Sequence, residues 1–138
     1  MSAGPVRRML IAVDDSIESL AAARAGARFA VSWGAAVRVI NVIADEQREK
    51  MSRGLLEHVV RDVCRQGVAA DGVDTVVRIG EPFRRILEEA GAWHADLIVM
   101  AVSNRVGLRS PYIGSATEHV LEFATVPVLV IPSGGGVR

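Results

Sequence analysis

The sequence is poor in the residue types that mark several classes of protein. Cys64 is its only cysteine, so neither a disulfide nor a cysteine-based zinc site can form within one chain. The three histidines, His58, His94 and His119, are scattered and lack the spacing of metal ligands. We therefore expect no metal site and no disulfide framework.

Neither sign of charge is in excess, and no long apolar run occurs. Lys plus Arg and Asp plus Glu each number 16, which gives no reason to expect nucleic acid or an anionic membrane as a partner. The apolar run at residues 9–13 ends at Asp14, too early for the core of a signal peptide. No run is long enough to cross a bilayer. We therefore expect a cytoplasmic protein that does not enter membranes.

What the sequence does contain is typical of a globular chain. It has 138 residues, half of them hydrophobic, which is enough to build a core without disulfides or metals. We find no linker or internal repeat and expect a single domain over residues 1–138, with residues 132–138 as a flexible tail.

Five short runs rich in β-branched residues alternate with helical patterns. They predict strands at residues 9–13, 37–43, 73–79, 96–102 and 128–131. Asp15 or Ser16 can cap the first helix, Gly34 can end it, and Pro82 suits the first turn of the third. This alternation predicts an α/β fold, a Rossmann-like doubly wound parallel sheet of order 3-2-1-4-5 with helices on both faces.

Two details of the helices are less regular. The segment at residues 44–54 is charged and is predicted to be partly irregular before the second helix. The last helix begins near Gly114 and Ser115 and is predicted to turn Val120 and Leu121 toward the core.

Ligands of such sheets bind outside the carboxyl ends of the strands, where the strand order reverses. The first and fourth strands flank that point. Asp14, Asp15 and Ser16 follow the first strand, while residues 101–104 follow the fourth. Ser115 opens the last helix, whose free N–H groups and dipole favour an anion.

Five segments in order resemble the signatures of universal stress proteins: AVDDS (12–16), VRIGEP (77–82), ADLIVM (95–100), GSATEHVL (114–121) and VPVLVIP (126–132). The resemblance covers nearly the whole chain. It implies a doubly wound α/β domain that forms a homodimer and, in many members, binds ATP.

The resemblance also implies a nucleotide site. The nucleoside is expected to contact Asp14, with Ala12 and Val13 beside it and Val42 and Met100 lining the base. The family's phosphate-binding pattern, G-x2-G-x9-G-[ST], aligns on Gly114 and Ser115, followed by Ala116, and places Ala101 and Asn104 where the family has glycine. If Ala101 had to be left-handed, it would cost about 1–2 kcal/mol, whereas asparagine tolerates that conformation. From residue type alone, Arg105 and Arg109 are candidates to bind a triphosphate, with Mg²⁺ as its counterion.

The same residues also have structural interpretations. Asp14 and Asp15 fit the end of a strand and the cap of a helix, and Ser115 with Glu118 has the spacing of a capping box. Val42 and Met100 fit a core. The two interpretations are compatible, because a capped N-terminus can still receive an anion.

The sequence offers no enzyme signature. The SGG-x-DS loop of ATP pyrophosphatases, the HxGH pair of nucleotidyl transferases and the G-x4-GK-[ST] phosphate loop are all missing. We therefore expect no designed catalysis, and at most slow ATP hydrolysis.

The final strand, Val128–Ile131, is apolar and is expected at an edge of the sheet, where it invites pairing. The resemblance implies a homodimer through this strand; the alternative is a monomer whose edge is blunted by Pro127 and Pro132. Two functions follow. One is a nucleotide-responsive regulator of an unknown protein partner, and the other is a nucleotide-free stress-response dimer that acts through protein contacts alone.

Overall fold

The computed structural model describes residues 5–102 and 115–132, which form a parallel sheet flanked by helices. The strands are β1 Arg8–Ala12, β2 Ala36–Ile43, β3 Val73–Ile79, β4 Leu97–Ala101 and β5 Val128–Ile131. The helices are α1 Ile17–Trp33, α2 Glu49–Arg65, α3 Pro82–Trp93 and α4 Ser115–Phe123. Short 3-10 turns at Glu46–Arg48 and Ala70–Gly72 precede α2 and β3.

The sheet has the predicted topology. Its strand order is β3-β2-β1-β4-β5 and every pair is parallel, which confirms the fold expected from the sequence. β1 lies in the centre, with Met9 opposite Val37 of β2 and Leu97 of β4. β5 pairs with β4 and lies at one edge, as predicted.

The core has two layers, one on each face of the sheet. Met9 and Ile11 pack in the layer of α1 and α2, whereas Leu10 and Ala12 pack in the layer of α3 and α4. Alternate residues of a strand point to opposite faces, so a central strand covered on both sides must be apolar throughout. That requirement explains the unbroken apolar run of β1.

The helix ends follow the expected rules. Ser16 caps α1 by accepting a hydrogen bond from the Ser19 N–H, and Gly34 ends the helix in the left-handed conformation with φ 67°. Pro82 opens α3. His94 ends α3 with φ 59°, a position that glycine more often takes.

One prediction about the helices is confirmed and one is wrong. The segment at residues 44–54 is partly irregular, as predicted: it starts with a bend and the 3-10 turn Glu46–Arg48, and α2 begins at Glu49. Leu121 is exposed, whereas Val120 is fully buried. α4 covers the sheet with a narrow face that holds Thr117 and Val120, and Leu121 lies a further 100° or so around the helix.

Within the ranges 5–102 and 115–132, no helix combines the length and the apolar character needed to cross a bilayer. The same ranges hold no cluster of three or more His, Cys, Asp or Glu side chains suited to a metal ion.

Candidate functional site

The turn between β1 and α1 is held by its own side chains. The Asp14 N–H donates to Ser19 Oγ at 2.7 Å, and Asp14 Oδ1 accepts from the Ser16 N–H at 2.8 Å. Ser16 Oγ in turn accepts from the Ser19 N–H at 3.1 Å. Ser16 is therefore the cap, and Asp14 closes the turn before it. Among the residues that the structure describes, none donates a hydrogen bond to Asp14 Oδ2.

The end of β4 is tied to the start of α4. Thr117 Oγ1 donates to the Ala101 carbonyl at 3.1 Å, and Thr117 itself is buried. This bond places the first turn of α4, with Ser115 and Ala116, over the carboxyl end of β4. The N-terminus of α4 therefore points into the same crevice as the turn after β1.

Ala101 is an ordinary strand residue, paired with Ile131 of β5. Of the residues described, His94 is the only non-glycine with a left-handed φ. The alanine that replaces a family glycine therefore costs no backbone strain, and its effect on a ligand is limited to the volume of one methyl group.

A cavity of about 260 Å³ opens between these two segments, at the carboxyl ends of β1 and β4. Its walls include every predicted site residue that lies within the described part of the chain: Ala12, Val13, Asp14, Val42, Met100, Ala101, Ser115 and Ala116. The other predicted residues, Asn104, Arg105 and Gly114, together with Arg109, lie outside the described residues. We call this space the β1–β4 cavity.

Several wall residues of the β1–β4 cavity were not predicted. Ile40 and Ile86 add to its apolar side, and Pro82 contributes from the first turn of α3. Glu18 and Ser19 contribute from the first turn of α1. Their position directly after the AVDDS segment is the signal that would have found these last two. An apolar floor with a few polar groups at its rim is the usual make-up of a small-molecule site.

The electrostatics of the cavity are mixed. The N-termini of α1 and α4 both border it, and their exposed N–H groups favour negative charge. Asp14 and Glu18 place carboxylates on the same wall, and no Lys, Arg or His is among the described wall residues. A phosphate is therefore best placed beside Ser115 and Ala116, away from the two carboxylates.

Comparison with known proteins identifies the family. The sequence model described as the universal stress protein family matches residues 5–132. The chain belongs to the universal stress protein family. The universal stress protein Sll1388 of Synechocystis sp. is 31% identical over 86 residues, which is 62% of this chain. The match spans about half, 54%, of that relative's length.

Solved structures show the same fold. A universal stress protein in complex with cAMP has a TM-score of 0.79 at 20% identity, over 96% of this chain and 99% of that one. A universal stress protein from Archaeoglobus fulgidus in complex with dAMP has a TM-score of 0.76 at 20% identity, over 91% and 97%. At this identity the likeness concerns the fold.

Proposed function

We propose that this universal stress protein is a regulatory homodimer that binds an adenine nucleotide in the β1–β4 cavity. The observation that carries the proposal is the convergence of residues from β1, β2, β4 and α4 on that one cavity. The complexes of similarly folded universal stress proteins with cAMP and dAMP support the choice of an adenine nucleotide.

The walls suggest how the nucleotide would lie. The base would pack against Val42 and Met100 on the apolar floor, and Asp14 Oδ2 would accept a hydrogen bond from a ribose hydroxyl. The phosphates would reach the N-terminus of α4 at Ser115 and Ala116. With ATP, Mg²⁺ would offset part of the repulsion between the triphosphate and the carboxylates of Asp14 and Glu18.

We propose binding without designed catalysis. The hydroxyls of Ser16 and Ser19 accept backbone hydrogen bonds that shape the turn. Neither has a histidine or lysine beside it among the described wall residues to activate it as a nucleophile. The role that we propose is regulatory: bound nucleotide changes which protein partner the dimer binds. We expect the protein to act in the cytoplasm.

Titration calorimetry with Mg-ATP and with AMP tests the nucleotide proposal. We expect saturable binding that Asp14→Ala weakens by about tenfold or more, since a hydrogen bond to a charged group contributes about 1.5–3 kcal/mol. Asp15→Ala is the matched control, because this neighbouring carboxylate does not line the β1–β4 cavity. Asp14→Asn retains an oxygen to accept from the Ser16 N–H, so it separates the charge of Asp14 from its role in the turn.

Two results would contradict the nucleotide proposal. One is no saturable heat with either nucleotide, which would favour the nucleotide-free stress-response dimer. The other is equal weakening by Asp14→Ala and Asp15→Ala, which would place the nucleotide elsewhere.

The proposed dimer uses the outer edge of β5. The carbonyls of Pro127 and Ile131 accept from the N–H groups of Ile98 in β4 and of Val102 just after it, so the alternation of a parallel ladder turns the N–H groups of Val128 and Val130 outward. We expect Val130→Pro to remove one outward donor and give a monomer in sedimentation equilibrium, with unchanged circular dichroism. A variant that remains a dimer would show that the interface lies elsewhere.

A further inference from the structure

A second cavity, of about 390 Å³, lies on the opposite face of the sheet. Asn41 and Ile43 of β2 line it, whereas Ile40 lines the β1–β4 cavity. Because alternate strand residues point to opposite faces, β2 separates the two spaces. They meet only at a shared rim, which contains Asp14, Val42 and Pro82. We call the second space the α2 cavity, since α2 forms its outer wall.

The α2 cavity contains a buried polar pair. Asn41 is 6% exposed and Ser52 is 3% exposed. Asn41 Nδ2 donates to the Val13 carbonyl at 2.7 Å, and Ser52 Oγ donates to Asn41 Oδ1 at 2.6 Å. An amide carries two N–H donors and two acceptor lone pairs. With respect to residues 5–102 and 115–132, Asn41 therefore retains one donor and one acceptor position.

The rest of the wall is mostly apolar. Ile43 and Leu55 lie on its protein side, and Met51 lies at its mouth although it is 71% exposed. A flexible, polarisable methionine adapts its shape to what lies against it, and such residues are common at binding surfaces. Leu55 and Met51 can therefore supply apolar contacts to a flat ring.

The three charged wall residues of the α2 cavity lie at its rim. Arg48 is opposed there by two carboxylates, Asp14 and Asp15, and all three are exposed. The other wall residues are uncharged, so a charged group buried among them would lose its hydration without gaining a partner, whereas an uncharged molecule would not.

We propose that the α2 cavity is a second small-molecule site, whose ligand is an uncharged heterocycle of the nucleobase type. The heterocycle would place a neighbouring donor and acceptor against the Asn41 amide, the pairing that asparagine makes with adenine. Its ring would lie between Leu55 and Met51. This ligand is uncharged, unlike the nucleotide proposed for the β1–β4 cavity. It would also lie on the opposite face of the sheet.

The test is an NMR titration of the ¹⁵N-labelled full chain with free adenine, which is uncharged at neutral pH. We expect saturable shifts of the amide signals of Ala44, Met51 and Ser52. Ala44→Leu places a larger side chain at an exposed position in this wall alone and should abolish those shifts. Ala116→Leu, which narrows the β1–β4 cavity alone, should leave them unchanged.

A second variant provides a test in case Ala44→Leu does not fold. Met51→Ala changes an exposed side chain and should weaken the adenine affinity about fivefold, because part of the ring's apolar cover is lost. The proposal is overturned if adenine shifts only the signals of Ala101, Ala116 and Thr117. It is also overturned if no shift saturates or if Ala44→Leu leaves the shifts intact. Failure of the nucleotide proposal would appear in the calorimetric titrations and would leave the adenine-induced shifts of Ala44, Met51 and Ser52 intact, so the two proposals fail separately.

Discussion

The two faces of the sheet are built by different means. On the α1–α2 face, α1 approaches the strands closely because small residues such as Gly26 and Ala27 meet Ile11 and Val99. On the α3–α4 face, charge is buried: Glu89 is 4% exposed and accepts from Arg38 Nη1 at 2.6 Å and from Arg78 Nη2 at 2.8 Å. Both faces have an apolar layer; the α1–α2 face adds close contact between helix and sheet, and the α3–α4 face adds the most deeply buried carboxylate of the described residues.

The buried charge on the α3–α4 face has several partners. Arg38 Nε also donates to Asp74 at 2.8 Å, and its guanidinium lies 4.7 Å from the centre of the Trp93 ring. The hydrogen bond with Asp74 raises the pKa of Arg38, and the bond with Glu89 adds to this against the opposing effect of burial. A raised arginine pKa contributes stability that is complete below the ordinary arginine range, so this contribution is constant at physiological pH.

Removal of the buried carboxylate should have the largest effect. Glu89→Ala leaves Arg38 with Asp74 but deprives Arg78 of its ion pair and opens space beneath α3. We expect a loss of about 2–3 kcal/mol in the free energy of unfolding, below the 3–5 kcal/mol typical of a fully buried pair, because both arginines are partly exposed. Urea denaturation measures it. Glu89→Gln, which keeps an acceptor of similar shape, should lose about half as much; equal losses would show that charge rather than shape is decisive.

A methyl group on α1 should have a smaller effect. In Gly26→Ala the new Cβ would lie 3.2 Å from Val99 Cγ1 and 3.3 Å from Ile11 Cδ1, both on fully buried side chains. We expect a net loss of about 1 kcal/mol, since overpacking costs more than the helix gains from alanine. Gly91→Ala in α3 is the control: its Cβ meets nothing within 4 Å, so thermal denaturation should show a gain of about 0.5–1 kcal/mol. A stabilised Gly26→Ala would mean that α1 can move away from the sheet.

An ion pair on the α1–α2 face should have the smallest effect. Arg24 Nη1 donates to Asp62 at 3.0 Å, yet its side chain is 39% exposed, and Asp62 keeps Arg65 at 3.2 Å. We expect Arg24→Ala to lower the free energy of unfolding by about 0.5 kcal/mol, and less in 0.5 M salt. A loss as large as that of Glu89→Ala would remove the distinction between the two faces.

Particular residues show where the sequence was informative. The cap at Ser16, the left-handed Gly34 and Pro82 in the first turn of α3 were predicted because each depends on backbone geometry within a few residues. The inward orientation predicted for Leu121 was wrong, because it depends on which side of the helix the sheet covers. That information belongs to the packed molecule.

The candidate site also has features that the sequence predicted and features that depend on packing. The order of strands and helices is set by local patterns, and it determines that the segments after β1 and β4 are neighbours, so Asp14 and Ser115 were predicted from the sequence. The family resemblance, confirmed over residues 5–132, indicated which other residues to propose for the site, among them Met100.

Only the tertiary structure placed Glu18 in the wall of the β1–β4 cavity and joined Asn41 to Ser52 across a second cavity. The bond between Asn41 and Ser52 links a strand to a helix that begins several residues later, and its partners have no shared periodicity. The sequence determined the order and edges of the layers, because these follow from local hydrogen bonding and apolar periodicity. The depth of the cavities and the pairing of side chains within them were decided by how closely each helix packs on the sheet.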